Sequence, residues 1–267
     1  MADLESFKQD QQEVWGSGNP VRFATTIVIV SELLCEAVDL RAGQRVLDVA
    51  TGTGNTALAA ARRNCEVVGI DYVPSLLEKA RERARVEGLT VEFRRGDSER
   101  IPYPDASFDA VLSTFGVMFA PDQQRSAAEL LRVCRRGGKI GITSFTPDSL
   151  AAQFSIVTAR RVSPPRTVRP PVLWGMEDHV RGLFGDEVVD LTTSRRSVVL
   201  RFRSAGALVD FFRQNFGPMR HAFEALPDGD QDLLREDLIR VTRRFDTSGD
   251  GSAVVPFAYL EVVGVRR

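Results

Sequence analysis

The 267-residue chain is short of several residue types whose abundance would narrow its chemistry. Its three cysteines, Cys35, Cys65 and Cys134, are widely spaced and form no C-x-x-C pair. Neither a disulfide framework nor a zinc knuckle is supported, and a reducing cytoplasm is the expected compartment. His179 and His221 are the two histidines, which leaves little choice for a general base. Lysine is confined to Lys8, Lys79 and Lys139, and a formal net charge of −1 provides no basic field for nucleic acid. Long apolar runs are missing as well. Ala24 to Val38 is too short for a bilayer and is interrupted by Glu32 and Glu36, and Met1 to Asp10 is charged, with no signal-peptide core. The expectation is a soluble protein with no membrane partner, and the length fits a single α/β domain over 1–267.

What is present is concentrated in Val46-Leu47-Asp48-Val49-Ala50-Thr51-Gly52-Thr53-Gly54, an apolar strand running into a two-glycine turn. Glycines at 52 and 54 permit a tight turn and a close approach of backbone to ligand, and alanine-rich Asn55 to Arg63 reads as the following helix. Asp71 ends the next apolar run, Val67 to Ile70, as an acid placed to accept from ribose hydroxyls. Gly52-x-Gly54-x-x-Ala57, with Asp71 close to the ~20 residues expected further on, also satisfies a dinucleotide fingerprint. An NAD(P)-dependent oxidoreductase is therefore an open alternative.

Val91 to Arg94 alternates apolar and polar, as an edge strand does, whereas Val46 to Val49, Val67 to Ile70 and Ala110 to Leu112 are more continuously apolar, as buried parallel strands are. That pattern predicts the strand order 3-2-1-4-5, with a ligand crevice where the order reverses. Pro74 to Gly88 and Pro121 to Arg135 read as helices, and Lys139 to Ser144 as the fifth strand. Thr146 to Leu173, with Pro164 and Pro165 among its prolines, reads as a helix and an ordered loop over the active face. Glu177 to Phe184 is a predicted helix, and Glu187 to Phe202 a long strand. Ser204 to Phe245 is helical with breaks at Gly217-Pro218 and Pro227 to Gly229, and Ala253 to Val265 is the last strand. Asp246 to Gly251 superficially matches a calcium loop, but Pro256-Phe257 stands where the final carboxylate is needed, so a turn is expected.

Asp48 before the glycine turn, Gly96-Asp97-Ser98 after the third strand, and Phe108 to Ser113 opening on an apolar loop together make Arg45 to Ser144 resemble class I S-adenosylmethionine (SAM) methyltransferases, in particular the bacterial small-molecule group that includes quinone-biosynthesis enzymes. Ala50-Thr51 departs from the commoner Gly-Cys of that turn. The resemblance implies a doubly wound, seven-stranded, mostly parallel Rossmann-like sheet whose last two strands pair antiparallel, under a helical cap from 1–40, 146–173 and 204–245. It implies SAM as cofactor. Ala50, Thr51 and Gly52 would border its methionine part, Asp71 take the ribose, Tyr72 pack on adenine, Asp97 accept from the adenine amine and the Ser98 backbone donate to the ring. Thr114 and Phe115 would lie near the sulfonium, and Asp48 would act through water or by fixing the turn.

Trp15 and Arg22 fall in the N-terminal roof, with Arg22 a candidate for the SAM carboxylate. His221, flanked in sequence by Phe216, Met219 and Phe223, is the candidate base. Ser113 to Phe119 lacks the Asn/Asp-Pro-Pro segment of amino-group methyltransferases, and no carboxylate precedes Asp122 to hold a divalent ion. The expectation is metal-independent C- or O-methylation of a small hydrophobic metabolite by a monomer or homodimer. A non-catalytic SAM-binding protein is the other alternative.

Overall fold

A computed structural model describes residues 2–162 and 169–267, with side chains from residue 7 onward. Pro164 and Pro165 lie outside the described residues. Seven strands form one sheet: β1 (Arg45–Val49), β2 (Glu66–Asp71), β3 (Glu92–Arg95), β4 (Phe108–Thr114), β5 (Cys134–Phe145), β6 (Val188–Phe202) and β7 (Ala253–Arg266). Their order is β3-β2-β1-β4-β5-β7-β6, and β7 runs antiparallel to both neighbours. β1, flanked in register by β2 and β4, is buried over four of its five residues, as the continuous apolar run predicts.

The helices are α1 (Ala2–Gly16), α2 (Pro20–Thr25), α3 (Val28–Ala37), α4 (Asn55–Arg62), α5 (Pro74–Val86), α6 (Gln123–Val133), α7 (Leu150–Ala159), α8 (Glu177–Phe184), α9 (Ala205–Asn215), α10 (Gly217–Glu224) and α11 (Asp228–Phe245). Strand alternation decides which layer each side chain joins. Val46, Val67, Ala110 and Leu112 pack with residues of α3, α4 and α5. Leu47, Val49, Val68, Ile70 and Val111 belong to the second apolar cluster, with residues of α6, α7, α8, α9 and α11.

One boundary differs from expectation. The helix predicted to reach Arg135 stops at Val133, and Cys134 turns extended to pair with Phe108 as the start of β5. Arg135 Nε donates to Asp109 Oδ1, which ties this extension to β4 at the cost of two helical residues. Asp246 to Gly251 is the turn expected: the Asp246 carboxylate accepts from the backbone N–H of Ser248 and Val254. No helix among the described residues is long and apolar enough to cross a membrane.

Candidate functional site

The C-terminal ends of β1, β2, β4 and β5 and the loop after β3 open into one cavity, whose lining includes all ten residues assigned by resemblance to the cofactor. At its centre Ala50 and Gly52 take positive φ, +55° and +56°. A Cβ at Gly52 would meet no atom within 4 Å, so the space beside this lining residue is open. Gly54 serves differently. Its φ is +90°, and a Cβ there would lie 3.2 Å from both Ala80 and Phe93, so this glycine lets α4 start close against α5 and β3 and does not make room for a ligand.

Two buried carboxylates brace the turn. Asp48 Oδ2 accepts from Thr51 Oγ1 at 2.5 Å and from the Ala57 N–H at 2.9 Å, fixing both ends of the turn to β1. Burial pushes its pKa up to about 7 against these hydrogen bonds. Asp71 Oδ2 accepts from the Gly52 N–H and Oδ1 from the Val73 N–H, each at 2.9 Å. Burial again dominates and raises Asp71 to about 6, leaving it mostly ionised at neutral pH. Each oxygen keeps a lone pair for a further donor.

Beyond Asp71 the cavity is walled by Tyr72, Val73, Leu76, Asp97 and Ser98. Burial raises the Tyr72 phenol well above its ordinary pKa, so it stays neutral. Asp97 carries a partner that sequence reasoning missed: Lys8 Nζ of α1 reaches Asp97 Oδ2 at 2.6 Å and Glu99 Oε2 at 2.5 Å. Burial works against the Lys8 ammonium, yet the two carboxylates outweigh it and hold its pKa above the usual value. Thr114 ends a hydroxyl chain: Ser31 Oγ lies 3.0 Å from Thr56 Oγ1, which donates to Thr114 Oγ1 at 2.8 Å. Ser31 and Thr56, also in the lining, were not singled out from sequence.

The other end of the cavity is aromatic. Phe115, at φ +53°, stacks on Phe145 with centroids 4.0 Å apart. Trp15 of α1 meets Phe119 at 4.7 Å and Phe216 at 5.7 Å, and Phe23 of α2 meets Phe216 at 4.6 Å. The roof therefore comes from the N-terminal helices and the α9–α10 junction.

Three of the expected site elements lie elsewhere among the described residues. His221 is exposed on α10 and absent from the lining, because Met219, Ala222 and Phe223 take the buried face of that helix. The described part of 146–173 supplies no lining residue either; α7 is engaged by α11 and β7 and supports the roof from behind. Arg22 is exposed and lies over the Phe211 ring, away from the lining. The remaining histidine, His179, is held by Gln123 Oε1 at 2.8 Å, also outside the lining.

The donor and acceptor set fits an adenosine-bearing cofactor: a buried strand-end carboxylate with spare lone pairs beside an open glycine turn, followed by an apolar and aromatic wall. Comparison with known proteins agrees with this geometry. A family model described as "Methyltransferase domain" matches residues 47–142. An uncharacterized protein of Mycobacterium tuberculosis is 35% identical over 257 residues, covering 95% of this chain and 93% of that protein. Demethylmenaquinone methyltransferase of Deinococcus radiodurans is 45% identical over 106 residues, which is 39% of this chain and 44% of that enzyme. Among solved structures, the YcgJ protein from Bacillus subtilis has a TM-score of 0.63 at 19% identity, covering 89% of this chain and 98% of that one.

Proposed function

The chain belongs to the class I SAM-dependent methyltransferases, and from that premise we propose that it methylates a small, uncharged, hydrophobic metabolite at carbon or oxygen without a metal ion. The observation that carries this reading is the division of one cavity into a carboxylate-and-glycine end and an aromatic end. The three aspartates belong to the first end, where nucleoside hydroxyls and an amine call for acceptors. The second is built from Trp15, Phe23, Phe115, Phe119, Phe145 and Phe216, which favour a flat apolar acceptor.

When bound, SAM supplies a sulfonium methyl: the carbon–sulfur bond breaks with its electron pair left on sulfur, a bond forms to the acceptor's carbon or oxygen, and the proton lost from that atom passes to solvent. The residues of this chain contribute grip and alignment. Asp71 would accept from the ribose diol, Tyr72 would pack on the adenine, and Asp97, oriented by Lys8 and by the Glu99 N–H, would accept from its amine. Thr114 and Phe115 border the transfer point. Holding nucleophile and methyl carbon ~3–3.5 Å apart and in line supplies much of the rate without a dedicated base. We also assign the activity to the cytoplasm, since the three cysteines are free and buried.

Calorimetric titration of the full chain with SAM and S-adenosylhomocysteine tests the cofactor half, with one site per chain expected. A folded sample that binds neither would end the assignment. Release of S-adenosylhomocysteine in the presence of neutral aromatic acceptors tests the transfer itself.

A further inference from the structure

We propose that Asn215 positions the methyl acceptor by taking a hydrogen bond from a hydroxyl on a flat, uncharged ring, which makes the acceptor a phenol or enol and not an acid or a phosphate ester. The inference rests on the methyltransferase reading above and adds to it the acceptor's chemical class.

Asn215 ends α9 and lines the cavity at its aromatic end, next to Phe216 and 3% exposed. Its Nδ2 donates to the Phe211 carbonyl at 2.8 Å. A carbonyl can only accept, so this bond fixes which way the carboxamide faces. Oδ1 accepts from no group among the described residues. The oxygen is not sealed off from solvent, and the cavity-lining position of Asn215 leaves it open to a donor from a bound ligand. The other amides of the lining differ. Asn55 is satisfied on both atoms, donating to the Ala24 carbonyl and accepting from Arg83. Gln11 is only half-buried, and no described group fixes its orientation. The Asn215 backbone is held too: a Cβ on Gly18 would lie 3.1 Å from its carbonyl carbon and oxygen, so the α1–α2 junction presses directly on this residue.

Charge selects the class of ring. The charged side chains of the described lining are Lys8, Asp48, Asp71 and Asp97. Lys8 is taken by Asp97 and Glu99, and Asp48 and Asp71 bind backbone of the glycine turn and the β2 end. None is left to neutralise a carboxylate or phosphate entering the aromatic end, and desolvating such a group unpaired is strongly unfavourable. A neutral ring bearing one O–H matches both the aromatic walls and the single fixed acceptor.

The test uses the full chain saturated with S-adenosylhomocysteine and three ring-matched probes: 1-naphthol, 1-methylnaphthalene and 1-naphthoate, with binding followed by tryptophan fluorescence. Naphthol should bind about five-fold or more tightly than methylnaphthalene, the effect of one net hydrogen bond, and naphthoate more weakly than either. Asn215→Leu should abolish the naphthol preference while leaving methylnaphthalene and S-adenosylhomocysteine binding unchanged. Equal binding of naphthol and methylnaphthalene by the unaltered protein, naphthoate binding as tight as naphthol, or a preference that survives Asn215→Leu would each overturn the proposal. The first two outcomes require no variant to fold. Loss of S-adenosylhomocysteine binding by the unaltered protein would instead remove the methyltransferase reading beneath it.

Discussion

The backbone N–H of Gly52 donates to the carboxylate of Asp71 at 2.9 Å, so the glycine turn after β1 and the end of β2 behave as one unit. An acid at the end of the second strand thus acts twice, shaping the turn on one side and leaving lone pairs for a ligand on the other. Asp48 braces the same turn from beneath through Thr51 and Ala57. The protein's own groups thus hold the conformation of the turn, which lowers the ordering cost of binding.

Asp71→Ala removes both roles and should weaken SAM binding by about 1.5–3 kcal/mol, or roughly ten- to a hundred-fold, as for hydrogen bonds to charged groups. Asp71→Asn keeps an oxygen for the Gly52 N–H and should lose less. Because the Asp71 pKa is raised to about 6, affinity in the unaltered protein should fall as pH drops through that value, when the carboxyl gains a proton and ceases to be a full acceptor. Calorimetry between pH 5 and 8 measures both effects. Unchanged dissociation constants in Asp71→Ala would place the ribose elsewhere.

Asp48 makes an opposite-looking prediction for stability. Its folded pKa, about 7, stands above the unfolded value, so the native state holds a proton that the unfolded chain releases. The stabilisation from that proton is complete below the unfolded pKa and is lost as pH rises through 7. Asp48→Asn cannot ionise and should escape this loss. Without cofactor, the thermal midpoint of the variant relative to the unaltered protein should rise between pH 5 and pH 8. A difference independent of pH would mean that Asp48 stays ionised throughout.

The sheet and its cofactor half were legible because buried parallel strands leave continuous apolar runs and because Asp48, Asp71 and Asp97 each mark a strand end close in sequence to its glycine. The roof was not. Lys8 lies 89 residues from Asp97, and nothing local to either announces the ion pair. His221 looked enclosed because aromatics crowd it in sequence, yet the helical period turns Met219 and Phe223 inward and leaves His221 outside. The apolar segment around α7 is buried, but by α11 and β7, so its hydrophobicity reports packing and not a pocket. Asn215 carried no pattern at all; its meaning depends on a bond to Phe211 and on which rings surround it.

His221→Ala should leave kcat and KM within about two-fold of the unaltered enzyme, since an exposed side chain outside the cavity contributes neither alignment nor proton transfer. A general base typically contributes ~10²–10⁴-fold, so a steady-state assay with any accepted phenol separates the cases without ambiguity. A loss in that range would return His221 to the mechanism and require α10 to rotate during turnover.

Gly217 at the start of α10 decides whether the roof can close. A Cβ there would fall 1.9 Å from the Val14 carbonyl oxygen and 3.0 Å from its carbon. Backbone cannot step aside as the tip of a side chain can, so Gly217→Ala must push α1 away from α10. Helix propensity alone predicts the reverse sign, because alanine is favoured over glycine inside a helix by ~0.8–1 kcal/mol. The clash should win, as overpacking a tight contact costs about 1–3 kcal/mol. Since α1 carries Trp15 on the aromatic wall, acceptor affinity should fall more than cofactor affinity, which loses the Lys8 support of Asp97 but keeps Asp71 and the turn braced by Asp48. Thermal melting, S-adenosylhomocysteine calorimetry and naphthol binding on the one variant read all three quantities. A raised midpoint with intact naphthol binding would show that α1 rests loosely on α10 and that the roof is held from elsewhere.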